Sequence, residues 1–531
     1  MLSPEHIAAV KRRRRIIIYF DANFPVVISY NQFANGPAFV QDLFTFADDE
    51  GSQIDAIWWF LPLFDFPHDK ASWIGKTREG VELFRQVHSE TRKRGLETFY
   101  SHRMNGGSHE IPMKKKHPVW CFRTPWLKPD EPGYWNFAFE EVRQYVAENL
   151  LKIAREHDLD GMELDFARGV VFPAGQQWTY REALTDFMYR MRSGLLEIER
   201  QRGRPMLMAA RVPETLIGCR FDGLDVERWV RDNLVDLFTL GCRSFEVDLA
   251  AFRRLVAGTL IRLYPSLDDH HSCDGYKNPG IEVLRGVAAN WWRQAADGNH
   301  TMNFNYSPNR PYRGEDWPSH RQAYREMGDA ASLRYNDKSF VIQRRGGGHG
   351  PRVVPNPEDW HTPRAMYGNT NMLGQLPAKL ANDGLPDTLL TLFVGDDLSI
   401  EAEKVKDLTL RVLLHDRSRG GYVRTGEAKL SGSPDPGRIE PAVIRKWSSR
   451  DFLWNCPPAK GIQDRFEVRI NNALLGNPTV NGGWLVWKHV HPQLFAVGEN
   501  LVGVRVIGRA PDAAASMLVE KLELHVKYKT C

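Results

Sequence analysis

Little in this chain points to a disulfide scaffold, a membrane or a nucleotide, and each shortage removes a class of protein. Six cysteines, Cys121, Cys219, Cys242, Cys273, Cys456 and Cys531, are scattered over 531 residues without a Cys-x-x-Cys pair. That spacing argues against a zinc knuckle and a disulfide framework and suits a reducing compartment. No apolar run approaches a membrane span, and the first six residues lack a basic region followed by an apolar core. The expectation is a soluble cytoplasmic chain, or a secreted or periplasmic one if a leader has been removed. Glycine-rich phosphate turns are missing. The first strand candidate runs into Asp21-Ala22-Asn23-Phe24-Pro25, and Gly346-Gly347-Gly348-His349-Gly350-Pro351 does not close on Gly-Lys-Ser/Thr. Charge of one sign is not in excess either. With 70 basic and 66 acidic side chains the net charge is +4, which gives no electrostatic ground for a nucleic-acid partner. The basic run from Lys11 to Arg15 abuts Ile16, Ile17 and Ile18 and reads as a solvated rim ahead of a strand.

What the chain does have is aromatics, 16 Trp, 16 Tyr and 27 Phe, and one stretch of unusual alternation. In residues 160–168, Met162, Leu164 and Phe166 share one face of a strand while Glu163, Asp165 and Ala167 share the other. A helix precedes it, with Val142, Tyr145, Val146, Leu150, Ile153 and Ala154 at helical spacing. Similar apolar segments recur at 15–23, 54–62, 96–105, 205–213, 234–241, 260–268 and 300–306, each followed by a loop and a helical pattern. Eight strands alternating with helices predict an α/β fold, a closed (β/α)8 TIM barrel, with residues 1–334 as the catalytic domain. Beyond it, Leu408, Leu410 and Val412, then Phe466, Val468 and Ile470, then Val502, Val504 and Val506 alternate with polar residues. Residues 335–531 are expected to form an all-β sandwich. No internal repeat is visible.

The strand ends hold polar groups that are costly to bury without purpose. They are Asp21 and Asn23; Trp58 and Trp59; His102, Arg103 and Asn105; Glu163, Asp165 and Arg168; Arg211 and Glu214; Asp268 and Asp269; Asn303, Asn305 and Tyr306. Carboxylates, arginines, amides and aromatics converging on one rim describe a pocket for a carbohydrate. Glycoside hydrolysis needs two carboxyl groups flanking the scissile bond. Asp165 and Glu163 are the first candidates, with Glu214 or Asp268 as a possible second acid across the mouth. The alternative is that Glu163 and Asp165 only pair with arginines in a polar core. Asp268-Asp269-His270-His271, with His102 or His109, could hold a metal, but consecutive residues diverge and no His-Glu-x-x-His spacing occurs. No metal, cofactor, nucleic-acid or membrane partner is expected. A non-catalytic glycan-binding barrel and a metal-dependent hydrolase are the alternatives.

Several strings carry a resemblance. Ser101-His102-Arg103-Met104-Asn105, Tyr134-Trp135-Asn136-Phe137 leading into Glu140-Glu141-Val142-Arg143, and Asp160-Gly161-Met162-Glu163-Leu164-Asp165-Phe166-Ala167-Arg168 resemble a bacterial group of family 10-like glycosylhydrolases. The similarity continues through Gly223-Leu224-Asp225-Val226 with Trp229 and through Asp297-Gly298 with Asn303-Phe304-Asn305. It implies a barrel enzyme of polysaccharide breakdown and no particular substrate. Those relatives often carry Asn-Asp after the Arg-Met, whereas Asn105 is followed by Gly106. The string at 160–168 is also similar to the Asp-Gly-x-Asp-x-Asp-x-Glu run of barrel chitinases. Ala167 stands where that run ends in its acid, which sets a chitinase mechanism aside unless another residue replaces it. Phe466 to Asn471 with Val497 to Val502 is similar to galactose-binding-like jelly rolls appended to glycosidases.

Overall fold

The computed structural model describes residues 2–21, 40–41, 43–60, 78–106, 110–124, 131–167, 169–241, 244–268, 279–302, 318–343, 372–376, 378–380, 387–416, 466–481, 484–508 and 517–529. Eight parallel strands close on themselves: β1 (Ile16–Asp21), β2 (Ile54–Phe60), β3 (Glu97–Arg103), β4 (Gly161–Asp165), β5 (Leu207–Val212), β6 (Leu237–Leu240), β7 (Arg262–Asp268) and β8 (Asn299–Met302). Each begins within three residues of the start predicted from the sequence. Helices α1 (Pro4–Lys11), α2 (Arg78–Lys93), α3 (Glu140–Glu156) and α4 (Arg181–Arg202) are among those of this unit. Among the described residues no helix is long and apolar enough to cross a membrane.

The barrel interior is layered. Ile17, Ala56, Trp58, Phe99, Leu207, Ala209, Leu237 and Tyr264 form an apolar plug at the N-terminal end, and Val10 of α1 joins it. The Arg14 guanidinium, fully buried, donates to the α1 carbonyls of Ala9 and Val10 and binds Glu97 of β3 at 2.6 and 2.7 Å. It therefore caps the helix and ties it to the sheet.

A fourfold pattern underlies the same end, although no repeat is visible in the sequence. Each even-numbered strand carries an aspartate at its entrance whose carboxylate accepts an N–H from the odd-numbered strand or its lead-in before it. The bonds are Arg15 N to Asp55 (2.7 Å), Thr98 N to Asp160 (2.9 Å), Met208 N to Asp236 (2.8 Å) and Leu263 N to Asp297 (2.8 Å). Every one of these aspartates also binds an arginine, respectively Arg15, Arg92, Arg192 and Arg262. Asp160-Gly161 and Asp297-Gly298 are two instances of one device. Their glycines are required by close approach: a Cβ on Gly161 would lie 2.6 Å from the Leu207 carbonyl oxygen, and one on Gly298 1.9 Å from that of Arg14.

The chain divides into two compact units. The second contains helix α8 (Ile281–Arg293), numbered after three short helices, α5 (Leu216–Asp222), α6 (Val226–Arg231) and α7 (Leu249–Leu255), of the barrel unit. It also contains the described residues from Pro318 onward, so the boundary expected at 334/335 falls inside it. The reason is packing at glycine: Gly286 of α8 lies against Ser339, where a Cβ would meet the carbonyl oxygen at 2.3 Å. The unit's strands are β9 (Lys338–Val341), β10 (Thr388–Val394), β11 (Val405–Asp416), β12 (Phe466–Ile470), β13 (Trp484–Trp487), β14 (Gly498–Val506) and β15 (Met517–Tyr528). One antiparallel sheet runs β9-β15-β11-β13 and ends on the short strand Thr479–Asn481, and the other runs β10-β14-β12 and ends on Ala473–Leu474. The alternating apolar residues of β11, β12 and β14 are buried as the period-two pattern demands. Trp484 packs with Leu413 and Val486, and Trp487 donates its indole N–H to the Gly476 carbonyl at 2.6 Å. Both indoles are buried.

His6 of α1 is buried between two acids, with Nδ1 2.6 Å from Glu199 and Nε2 3.0 Å from Asp236. Burial alone would lower its pKa, but the bonds to Asp236 and Glu199 outweigh it and hold the imidazole above its ordinary value. A folded pKa above the unfolded one gives stability that is complete below about pH 6.5 and is lost as pH rises through the folded value. His6→Gln should lower the melting temperature most near pH 6 and progressively less toward pH 9. The loss at pH 6 should be about 3–5 kcal/mol, the cost of breaking a buried pair, measured by urea unfolding across that range. A difference independent of pH would show that His6 is neutral in the fold.

Candidate active site

The inward positions of the strands place a charged cluster directly above the apolar plug. Ser101 of β3, Glu163 of β4 and Ala209 of β5 are register partners, and Asp165 pairs with Arg103 and Arg211 one step nearer the C-terminal mouth. Glu163, Asp165 and Arg211 are all 0% exposed. The two Glu163 oxygens accept from Ser101 Oγ at 2.5 Å and Thr239 Oγ1 at 2.6 Å, and Arg211 Nε lies 3.3 Å away. Burial pushes this carboxyl up, with Asp165 nearby adding to the shift, while Arg211 and the two hydroxyls oppose it. Asp165 is held differently: Oδ1 accepts the Ala167 N–H at 3.1 Å and Oδ2 lies 3.3 Å from Arg211 Nη1.

Arg211 is the hub. Its Nη2 is 2.8 Å from His300 Nε2, and its guanidinium lies 4.6 Å from the Tyr19 ring centroid. Since arginine only donates, His300 Nε2 must accept, which leaves the proton on Nδ1 for Ser266 Oγ at 2.8 Å. Burial first, and Arg211 second, hold His300 well below its usual pKa, in keeping with this neutral tautomer. Above this layer Tyr19, Phe60, Ala167 and Met302 form a small apolar cluster. Arg103, half-buried, lies 4.4 Å over Phe60 and donates Nε–H to Tyr19 Oη at 3.0 Å. The floor of the mouth is thus aromatic and guanidinium, with Asp165 beneath it.

The remaining site expectations separate clearly. Trp58 points inward but belongs to the plug, stacked on Phe99 at 4.6 Å with an interplanar angle of 3°. Trp59 has the opposite parity, faces α2 and donates its indole N–H to Thr91 Oγ1 at 3.0 Å. His102 is also on the outer face, 3.2 Å from Tyr100 Oη, and burial with Lys114 nearby lowers its pKa to about 3. Trp59 and His102, expected at the mouth from residue type, are therefore two expectations that the structure overturns, because strand parity turns them away from it. Asn105 is a third. Its amide donates to the Trp135 and Val170 carbonyls at 2.8 and 2.7 Å and accepts the Trp135 N–H at 3.0 Å, so backbone occupies both of its ends. This bond set joins two of the strings noted in the sequence, those that hold Asn105 and Trp135. Glu214 follows β5, is buried, and leans on Gly241, whose φ of 76° ends β6. The side chains of Asp21 and Asp268, and residues Asn23, Arg168, Asp269, His109, His270, His271, Asn303, Asn305 and Tyr306, lie outside the described residues. Among the described residues no group of three or more His, Cys, Asp or Glu side chains could hold a metal ion.

Sequence reasoning missed Ser101, Thr239, Ser266, His300 and Tyr19. The parity of β4, carried across the barrel by register, would have found them. His300 and Met302 are the inward residues of β8, whereas the expected Asn303, Asn305 and Tyr306 lie further along.

No family model matches the chain, and no curated protein matches it. Solved structures with similarity to it include barrel glycosidases. A glycoside hydrolase family 18 N-acetylglucosaminidase from Paenibacillus barengoltzii shares 13% identity over 48% of this chain and 69% of its own, with a TM-score of 0.29. The maltogenic alpha-amylase AmyB from Thermotoga neapolitana shares 11% over 93% and 98%, with a TM-score of 0.37. The PgaB glycoside hydrolase domain from Bordetella bronchiseptica shares 12% over 60% and 99%, with a TM-score of 0.41. Likeness at this level assigns neither family nor substrate, and the functional reading rests on the chain's own residues.

Removing Arg211 would leave two buried carboxylates facing each other. Arg211→Met should therefore destabilise the barrel by about 3–5 kcal/mol. Thr239→Val, which strips one hydrogen bond from Glu163, should cost about 1–3 kcal/mol. Urea unfolding measures both, and an Arg211→Met protein as stable as its parent would mean that the acids are not held as ions by that arginine.

Proposed function

We propose that the protein is a glycoside hydrolase that cleaves O-glycosidic bonds of an oligo- or polysaccharide at the C-terminal mouth of the barrel. The observation that carries this reading is the unequal support of the two acids of β4. Glu163 is bonded at both oxygens by hydroxyls and braced by Arg211, so it acts as a positioning residue. Asp165, one step nearer the mouth, is held by a single backbone N–H and the same guanidinium. A carboxylate so placed suits the nucleophile or base of glycoside hydrolysis. The partner acid comes from Glu214 after β5 or Asp268 at the end of β7. Tyr19, Phe60 and Arg103 supply the faces and donors that would orient a sugar ring.

Asp165→Asn should lower kcat on a panel of aryl glycosides and oligosaccharides by about 1,000-fold or more with the fold intact, since a reacting carboxylate is lost. Glu163→Gln should cost roughly 10–100-fold and shift the pH profile, because it loosens Arg211 without removing the reacting group. Unchanged turnover in Asp165→Asn would end this reading.

One observation favours a second reading, a glycan-binding barrel without catalysis: both acids are 0% exposed and engaged by Arg211. In that case calorimetry would find saturable glycan binding, unaltered by Asp165→Asn, and long incubation would release no product. Full activity in chelator would separately exclude an exchangeable metal.

A further inference from the structure

Outside the mouth, large apolar side chains stand exposed beside the ends of β4 and β5. Trp178 is 38% exposed and Tyr180 36%, both in the segment that follows β4; Ile217 is 62% exposed and Phe221 52%, both on α5, which follows β5. Ile217 and Phe221 are four apart, so they share one face of α5, while Gly218, Cys219 and Asp222 turn inward. The two segments adjoin. Arg220 of α5 lies 5.7 Å from the Trp178 ring centroid, and a Cβ on Gly223 would meet the Gln177 carbonyl oxygen at 2.5 Å.

These rings are braced rather than loose. Arg181 lies 4.8 Å over Trp178 and donates Nη1–H to the Trp178 carbonyl at 2.9 Å. Tyr180 stacks on buried Phe172 at 5.9 Å. A cluster of exposed apolar side chains on a fixed support is the kind of feature that marks a binding surface. Its charge is balanced locally: Arg220 pairs with Glu227 at 2.9 Å, and Arg181 approaches Asp225 at 3.9 Å and Glu182 at 3.8 Å. A protein interface would concentrate apolar side chains and deplete acids at its centre. Here Trp178 has two charged neighbours, Arg181 and Arg220, an arrangement that meets the C–H face and hydroxyl edge of a sugar together.

We infer that Trp178, Tyr180, Phe221 and Ile217 form an outer subsite for a neutral polysaccharide, continuous with the barrel mouth, in which the chain beyond the reacting residue lies across α5. The inference rests on the glycosidase reading and adds the class of substrate, an uncharged polymer rather than an acidic one. Catalysis itself does not pass through these residues. They raise affinity for long chains and leave the smallest substrates untouched.

Affinity electrophoresis of the Asp165→Asn protein in gels containing soluble β-glucan, xylan, galactomannan or polygalacturonate tests it without turnover. Retardation is expected in at least one neutral gel and not in polygalacturonate, and it should fall at least tenfold in Trp178→Ala and Phe221→Ala versions of that protein. The substituted positions are exposed, and unchanged melting curves would verify folding. Retardation only by polygalacturonate, by none of the four, or equally in all versions overturns the inference. So does a wild-type dimer in sedimentation that becomes monomeric in Phe221→Ala, since the face would then bind a second copy. The two readings fail separately: activity on aryl glycosides without Trp178-dependent retardation removes the subsite alone, and Trp178-dependent retardation without activity removes the hydrolase alone.

Discussion

The barrel depends on keeping one guanidinium and two carboxylates together where water is absent. Arg211, Glu163 and Asp165 are 0% exposed, and an uncompensated ion in such a place would be too costly for the fold to retain. One arginine cannot satisfy four carboxylate oxygens, so the remaining demand is met by Ser101 and Thr239 on Glu163 and by the Ala167 N–H on Asp165. The arginine in turn needs an acceptor and a face, which His300 and Tyr19 provide. Residues from β1, β3, β4, β5, β6 and β8 are thus committed to one compensated charge set. Any shift in strand register would break several of these bonds at once.

The opposite end solves a different problem with a similar vocabulary. There the aspartates Asp55, Asp160, Asp236 and Asp297 accept N–H groups from the preceding strands, or just ahead of them, that would otherwise be unpaired, and each is neutralised by an arginine. Barrel enzymes place stability at the N-terminal face and chemistry at the C-terminal one, and the charges here divide in that way. The acids below are tied to backbone and cannot move toward a ligand. Among the described inward acids of the compensated layer, Asp165 is the one a step nearer the mouth.

How much of this was legible follows from what each signal encodes. Strand number and boundaries were readable because apolar period-two segments alternate with helical ones, and the inward direction of Glu163 and Asp165 followed from Met162, Leu164 and Phe166. Parity would also have rejected Trp59 and His102, whose selection rested on residue type at a strand end. Asn105 was unreadable for another reason: its saturation by Trp135 and Val170 involves backbone groups far along the chain. Ser101 and Thr239 were hidden because a hydroxyl in a strand has no signature until its neighbour is known. The aspartate repeat was hidden because only the residue at the strand entrance recurs, while helix and loop lengths between the four copies differ.

Charge balance is the link between the site and the kind of ligand it suits. Among the described inward side chains at the mouth, Glu163 and Asp165 share Arg211, Arg103 lies in register beside Asp165, and His300 is neutral, so two acids stand with two guanidiniums. An ionic ligand entering such a site would lose its hydration and compete with Glu163 and Asp165 for Arg211, a poor exchange in low-dielectric surroundings. A hydroxylated neutral ring loses less. On the proposed glycosidase reading, the compensated set that stabilises the barrel would therefore also disfavour a charged substrate.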